Sequence, residues 1–332
     1  MQNDQLSVHD PDWDAVLALL PPPTPPPASL ADARDIWRNV ILPLVRSNNE
    51  PLLPKESEYR VEDHQIPVEG GQITLRSLIP TPSSTADRKY PLLYFMHGGG
   101  RYLWWVYGTI DLDDFFLRAI CVEFQIVVVN VEYRLAPEFP FPTPIDDAYA
   151  GLKWAAEHAS LFSASLAKGF IVSGTSAGAN LATVLAHRAR DDPFFKDSRI
   201  SGQLLQIPST VHPGAYPEEY KAELNSYATL GDPRILDKRA MDDCYGGYPE
   251  SPSKYGAPPS DPECSPLLYP SHVGVAPAYI QVCGADALRD EALLYERLLR
   301  EDGVQTKMDV YVAPLGFHHL HRAYCISSDT QG

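Results

Sequence analysis

From about residue 58 onward, short apolar runs alternate with longer segments of helical periodicity. Several of the apolar runs are hydrophobic at nearly every position, as strands buried on both faces are. Seven strands are predicted, at Gln72–Leu78, Leu92–Met96, Ile126–Val131, Gly169–Ser173, Gln203–Ile207, Ala278–Val282 and Lys307–Val312. Helices are predicted between them, at Asp111–Glu123, Ile145–His158, Ala177–Arg190 and Arg289–Glu301. This alternation is typical of an α/β fold with a mostly parallel central sheet flanked by helices.

Two stretches depart from this alternation. Residues 1–60 contain a proline run at 21–27, followed by a helical pattern from Leu30 to Val45. The stretch Val211–Pro266 is rich in proline, tyrosine and acidic residues, with short helical pieces at Glu218–Tyr227 and Pro233–Cys244. An insertion over the carboxyl edge of the sheet explains this second stretch, and ligands of open α/β sheets bind at that edge.

The charge balance narrows the choice of partners. Lys and Arg number 27 against 43 Asp and Glu, giving a formal net charge of −16. Such an acidic chain repels phosphate backbones and anionic lipid surfaces, so we expect a small-molecule ligand and neither nucleic acid nor a membrane. A homodimer is compatible with these observations.

The cysteines and the apolar runs bear on the cellular compartment. The chain has five cysteines, an odd number with no CxxC pair, which favours reduced and packed thiols. No run approaches the roughly 18 apolar residues needed to span a bilayer, and the N-terminus lacks the features of a secretory signal. We therefore expect no membrane span and a cytoplasmic location.

A candidate nucleophile lies at Ser176, within the sequence Gly174-Thr175-Ser176-Ala177-Gly178. This matches G-x-S-x-G, and the predicted strand before it and helix after it are the context that a nucleophile elbow requires. In such a turn only glycine tolerates the close backbone approach at positions 174 and 178. The N-terminus of the following helix adds partial positive charge where an oxyanion would form.

A glycine-rich turn, His97-Gly98-Gly99-Gly100, directly follows the predicted strand Leu92–Met96. Consecutive glycines let main-chain N–H groups converge on one point, as an oxyanion hole requires. The amides of Gly98, Gly99 and Ala177 are the predicted donors. The phosphate-loop alternative lacks its GxxxxGK[ST] pattern. We expect His97 to orient the loop by hydrogen bonding.

A serine nucleophile needs a base, and the base needs an orienting carboxylate. Asp286 follows the predicted strand Ala278–Val282 and is our candidate acid, with Asp290 expected to cap or brace the same loop. Three histidines, at 318, 319 and 321, follow the last strand; we favour His318 as the base, with His319 as the alternative. The chain has no HExxH motif, so we expect neither a metal nor a cofactor.

Together these motifs resemble the hormone-sensitive-lipase family of α/β-hydrolases. The resemblance rests on HGGG at 97–100, YRLAPE at 133–138, GTSAG at 174–178, SPLL at 265–268 and DALRDE at 286–291, in that order. It implies an α/β-hydrolase fold with a helical cap, a triad of Ser176, Asp286 and His318, and oxyanion donors at Gly98, Gly99 and Ala177. It also implies an N-terminal cap segment at 1–60, a core at 61–210 and 264–332, and a cap insertion at 211–263.

The expected activity is that of a carboxylesterase acting through an acyl-enzyme on small-to-medium acyl or aromatic esters. Aromatic residues after the glycine turn and in the insertion are predicted to line the substrate pocket. These candidates, with one arginine, are Arg101, Tyr102, Trp104, Trp105, Tyr107, Tyr220 and Tyr227. The rival hypotheses are a cyclase, lyase or acyltransferase of small-molecule biosynthesis on the same fold, and a non-catalytic ligand receptor.

Overall fold

The computed structural model describes residues 3–8, 29–81, 88–99, 108–231, 238–242 and 258–312. They contain one eight-stranded sheet in the order β1-β2-β4-β3-β5-β6-β7-β8. The strands are β1 Tyr59–Val68, β2 Gly71–Pro80, β3 Leu92–Met96, β4 Val127–Glu132, β5 Phe170–Thr175, β6 Gly202–Gln206, β7 Ala278–Cys283 and β8 Thr306–Tyr311. β1 pairs antiparallel with β2 and β2 antiparallel with β4. All the other pairings are parallel, which confirms the predicted sheet type.

All seven predicted strands are present, but β1 was not predicted. Its side chains are mostly exposed or half-buried, and only Tyr59 and Ile66 are buried. β1 is an edge strand, paired along its whole length with β2 alone. Because polar residues are acceptable at a sheet edge, β1 lacks the apolar run that identified the inner strands.

The helices lie close to their predicted positions. In the described residues they are α1 Leu30–Ile36, α2 Leu42–Asn49, α3 Asp114–Glu123, α4 Thr143–Glu157, α5 Ala177–Asp191, α6 Ser226–Thr229, α7 Lys238–Asp242 and α8 Arg289–Glu301. A π-helical turn, Trp37–Ile41, joins α1 to α2. α3 begins at Asp114 rather than at Asp111, and Asp111 lies before the helix in an ion pair with Arg76 of β2.

The first part of the insertion, up to residue 231, is less helical than its sequence predicts. The predicted piece Glu218–Tyr227 consists of turns at 218–223 followed by the four-residue helix α6. The main-chain N–H groups of Asn225 and Ser226, at the start of α6, donate to Asp290 of α8. A tertiary contact therefore sets where this helix begins.

The core packs on both faces of the sheet. All five residues of β3 are buried, as expected for a strand covered on both sides. On one face, α3 packs Leu117 and Ile120 against β3 residues Leu93 and Phe95. Cys121, Cys264 and Cys283 are buried thiols that take part in no disulfide, in agreement with the prediction, whereas Cys244 and Cys325 lie outside the described residues. No described helix is long and apolar enough to cross a membrane.

Candidate active site

The turn at Ser176 has the backbone geometry of a nucleophile elbow. Ser176 follows β5 directly, precedes α5 and has φ of +56°, a conformation that non-glycine residues rarely adopt. Its N–H donates to the carbonyl of Gln206 at 2.8 Å, which fixes the turn against β6. The strained backbone is therefore held by the sheet.

The two glycines of the motif are required by contact with other backbone atoms. A Cβ at Gly174 would lie 2.3 Å from the carbonyl of Gly178 and 2.7 Å from that of Met96. A Cβ at Gly178 would lie 2.1 Å from the same Met96 oxygen. The glycine requirement predicted from the motif is therefore met by direct packing of the elbow against the end of β3.

The glycine turn after β3 is anchored by His97. The imidazole is fully buried, stacks on Tyr133 with ring centroids 4.3 Å apart, and its Nδ1 lies 3.0 Å from the carbonyl oxygen of Gly98. The Tyr133 hydroxyl in turn donates to the carbonyl of His97 at 2.8 Å. Burial lowers the pKa of His97 to about 4, so the ring is neutral near pH 7 and orients the turn, as the sequence analysis expected.

The carboxyl group of Asp113 lies beneath this turn. Asp113 is 2% exposed, and the main-chain N–H of Gly98 faces its carboxylate. Burial raises the pKa of Asp113 to about 7, and the Gly98 N–H opposes that increase. Sequence reasoning did not single out this residue, because the predicted helix Asp111–Glu123 contains it and no motif marks it.

Asp286 lies three residues beyond β7, in a loop at the carboxyl edge of the sheet. It is 2% exposed, and its Oδ1 accepts the N–H of Leu288 at 2.8 Å. Burial raises its pKa to about 6, and the Leu288 amide acts in the opposite direction. The carboxyl is therefore ionised above about pH 6.

Asp290 braces the same loop. Its carboxylate accepts the N–H groups of Asn225 and Ser226 from the insertion, and the side-chain amide of Asn3 from the N-terminal segment. It also forms a buried ion pair with Arg289, at 2.9 Å, and Arg289 donates to the carbonyl of Gly284. Asp290 thus has the bracing role that was expected of it, and it connects three distant segments around Asp286.

Two further side chains hold the ends of the insertion. Asn180 of α5 donates its side-chain amide to the carbonyls of Ser209 and Cys264, on either side of the insertion. Glu291 of α8 accepts the N–H of Thr210 at 2.6 Å. The helix that follows the nucleophile and the helix that follows the acid therefore both fix the base of the insertion. No local sequence pattern indicated either contact.

Several predicted site residues lie outside the described residues, namely Arg101, Tyr102, Trp104, Trp105, Tyr107, His318 and His319. Two predicted pocket residues in the insertion are described. Tyr227 is buried, and its hydroxyl donates a hydrogen bond to the carboxylate of Asp242. Tyr220 packs against the core, and the guanidinium carbon of Arg297 lies 5.5 Å from the centre of the Tyr220 ring. In the described part of the chain, no group of three His, Cys, Asp or Glu side chains is arranged to hold a metal ion.

Comparison with known proteins places this geometry in a family. Residues 93–321 match the family model described as the alpha/beta hydrolase fold. The chain belongs to the alpha/beta hydrolase family, on its carboxylesterase-like branch.

Curated relatives support that placement. The chain is 37% identical over 244 residues to carboxylic ester hydrolase LipN of Mycobacterium tuberculosis, covering 73% of this chain and 60% of LipN. It is 32% identical over 307 residues to carboxylesterase NlhH of the same species, covering 91% of this chain and 87% of NlhH. The matched region thus spans less than two thirds of LipN and most of NlhH.

A solved structure is similar over nearly the whole chain. The crystal structure of vibralactone cyclase is 41% identical in sequence and superposes with a TM-score of 0.87, covering 98% of this chain and 93% of that one. The family and fold expected from the motifs are therefore confirmed.

Proposed function

We propose that this hydrolase is a serine carboxylic ester hydrolase that cleaves small-to-medium acyl or aromatic esters through an acyl-enzyme. The observation that carries the proposal is the elbow at Ser176, whose strained backbone is locked against β3 and β6 at the N-terminus of α5. A strained serine at the end of a central strand is the hallmark of a nucleophile presented above a sheet.

In this mechanism the histidine at 318, or alternatively at 319, accepts the Ser176 proton as the serine oxygen attacks the ester carbonyl. Asp286 orients that imidazole and stabilises its charged form. Main-chain N–H groups of the glycine turn and of Ala177 stabilise the tetrahedral oxyanion, Gly98 and Gly99 being the candidates in the turn. The alcohol leaves with a proton from the imidazole, and water then cleaves the acyl-enzyme by the same route.

The proposed preference for small-to-medium esters rests on two segments, the insertion and the aromatic segment that follows the glycine turn. The insertion is tied to the core through Asn180, Asp290 and Glu291, and in this proposal it bounds the substrate space above the elbow. The aromatic residues at 102, 104, 105 and 107, together with Arg101, Tyr220 and Tyr227, are the proposed pocket residues. A series of p-nitrophenyl esters of increasing acyl length tests this proposal. A preference for chains longer than about ten carbons would contradict it.

The central test is Ser176→Ala in p-nitrophenyl butyrate hydrolysis. Without the nucleophile, kcat should fall by a factor on the order of 10³ or more, and the pre-steady-state burst should disappear. The matched control is Ser173→Ala, because Ser173 is also buried in β5 and its hydroxyl has no hydrogen-bond partner among the described residues. Comparing His318→Ala with His319→Ala identifies the base.

The similarity to vibralactone cyclase favours a second candidate, a cyclase of small-molecule biosynthesis. The same Ser176→Ala variant separates the two functions. Ester hydrolysis that is lost on substitution supports the esterase. Turnover of a lactone-forming substrate that survives the substitution would identify a non-covalent cyclase.

A further inference from the structure

Asp113 occupies the N-cap position of α3, but its carboxyl group does not make the hydrogen bond that is usual at that position. Asp113 is the residue immediately before α3, where an aspartate side chain normally accepts an N–H of its own helix. Here it makes no such capping bond. The side chain is buried instead, and its Oδ2 has no hydrogen-bond partner in the described part of the chain.

The Asp113 carboxylate is directed at the glycine turn, where it completes the anchoring of one peptide group. In the peptide that joins His97 to Gly98, the carbonyl accepts the Tyr133 hydroxyl and the N–H faces Asp113. Both polar ends of this peptide therefore have partners in the interior. Its N–H is consequently occupied by Asp113.

The next peptide has the opposite orientation. The carbonyl of Gly98 faces the His97 imidazole at 3.0 Å, and a Cβ at Gly108 would lie only 2.3 Å from that oxygen. In a trans peptide the C=O and N–H groups point to opposite sides. The N–H of Gly99 therefore points away from the imidazole, on the side opposite to the buried carbonyl.

We propose that Asp113 is a positioning residue for ester hydrolysis: it holds the N–H of Gly98 inward so that the N–H of Gly99 is presented to the oxyanion. This inference rests on the proposed function and refines it. It assigns the oxyanion to Gly99 and Ala177, and it gives Gly98 a role in anchoring the turn.

The charge state of Asp113 matters because no described Lys or Arg forms an ion pair with it. Of the charged and titratable groups on the neighbouring elements, Tyr133 interacts electrostatically with Asp113, and Asp114, the next residue, pairs with Arg76 and Arg118. His97 belongs to the turn itself, and Glu132 precedes Tyr133 at the end of β4. Burial raises the pKa of Asp113 to about 7. Ionisation of Asp113 adds a negative charge behind the turn whose N–H groups stabilise the oxyanion, so activity should decline as Asp113 ionises.

The test compares Asp113→Ala with Asp113→Asn in p-nitrophenyl butyrate hydrolysis between pH 6 and 9. The alanine variant loses the acceptor for Gly98, so kcat should fall by at least about tenfold with little change in KM. The asparagine oxygen still accepts that N–H, so this variant should retain activity within about threefold of wild type at pH 7 and lack the wild-type decline above pH 7. The control is Asp111→Asn, at a largely exposed side chain in the same segment.

Equal losses in the alanine and asparagine variants, or an alanine variant as active as wild type, would overturn the proposal. A readout that does not depend on the reaction is amide hydrogen exchange in peptides ending at Gly99. Exchange should be faster in Asp113→Ala only, and confined to the glycine turn. If the wild-type protein hydrolyses no ester but this exchange pattern is found, that outcome would contradict the proposed function and would support the role of Asp113 in anchoring the glycine turn. If amide exchange in the glycine turn were the same in Asp113→Ala as in wild type, Asp113 would not anchor the turn, whether or not the protein hydrolyses esters.

Discussion

The nucleophile and the acid are held by different kinds of contact. At Ser176 the backbone is packed against backbone, since Gly174 and Gly178 touch the end of β3 with no room for a Cβ. Around Asp286 the structure depends on buried carboxyl groups: Asp290 accepts main-chain N–H groups from the insertion, and Glu291 accepts the N–H of Thr210 at the base of the insertion. The nucleophile side should therefore be sensitive to added volume, and the acid side to lost charge and to pH.

The largest effect is expected from Gly178→Ala. The new methyl group would lie 2.1 Å from the carbonyl of Met96 and 2.6 Å from that of His97, so either the elbow or β3 must move. We expect the free energy of unfolding to fall by about 4 kcal/mol or more, measured by urea denaturation, with loss of esterase activity.

Gly202→Ala in β6 is the matched control for this prediction. A Cβ at Gly202 would have its nearest neighbours at 3.8 Å, which is ordinary van der Waals contact. The free energy of unfolding of this variant should lie within about 1 kcal/mol of the wild-type value. If both glycine variants had the same stability, tight backbone packing would not be what holds the elbow.

The second-largest effect is expected from Asp290→Asn, near the acid Asp286. The substitution keeps the shape but removes the negative charge that pairs with Arg289, a side chain only 5% exposed. Leaving a buried guanidinium without its partner should lower the free energy of unfolding by about 3 kcal/mol. Esterase kcat should fall as well, because Arg289 also holds the carbonyl of Gly284 in the Asp286 loop.

Glu223→Gln provides the comparison for Asp290. Glu223 also pairs with an arginine of α8, Arg297, but both of these side chains are about one-third exposed. Its loss should cost about 1 kcal/mol or less. Similar losses at the two sites would mean that burial of the Asp290 pair is not decisive.

The smallest effect, taken per pH unit, is a dependence of stability on pH at Glu291. Burial raises the pKa of this carboxyl from its ordinary value of 4.5 to about 8, and nearby Asp286 adds to the increase. The folded protein keeps the proton that the unfolded chain releases, so the contribution of Glu291 to stability decreases as the pH rises from about 4.5 to about 8. Glu291→Gln does not titrate and should gain stability relative to wild type over that range, by at most about 1.4 kcal/mol per pH unit.

Urea unfolding of both proteins at pH 5, 6.5 and 8 measures this difference. Glu301→Gln, at an exposed position of the same helix, should show a difference from wild type that does not vary with pH. A constant difference for Glu291→Gln as well would contradict the raised pKa of the buried carboxyl.

Much of the fold and part of the candidate site could be predicted because their signals are local. The inner strands are apolar runs, and the elbow is a five-residue pattern whose two glycines are needed where it packs against the end of β3. The edge strand β1 was missed because its polar residues face solvent, and α6 begins later than predicted because Asp290 binds its N-terminal N–H groups. The start of α6 thus depends on a residue distant in sequence, whereas β1 is defined by pairing with the adjacent strand β2 and not by an apolar run of its own.

The sequence by itself determined the fold family, the presence of a serine elbow at 176 and the candidate acid at 286, since each depends on neighbouring residues and on strand–turn–helix order. Only the tertiary structure decided that Asp113 faces Gly98 and that Asp290 joins Asn3 to the insertion, a contact across 287 residues. The physical reason is burial. A carboxyl group removed from water must find N–H groups or cations wherever the folded chain brings them close, and those partners have no fixed spacing along the sequence.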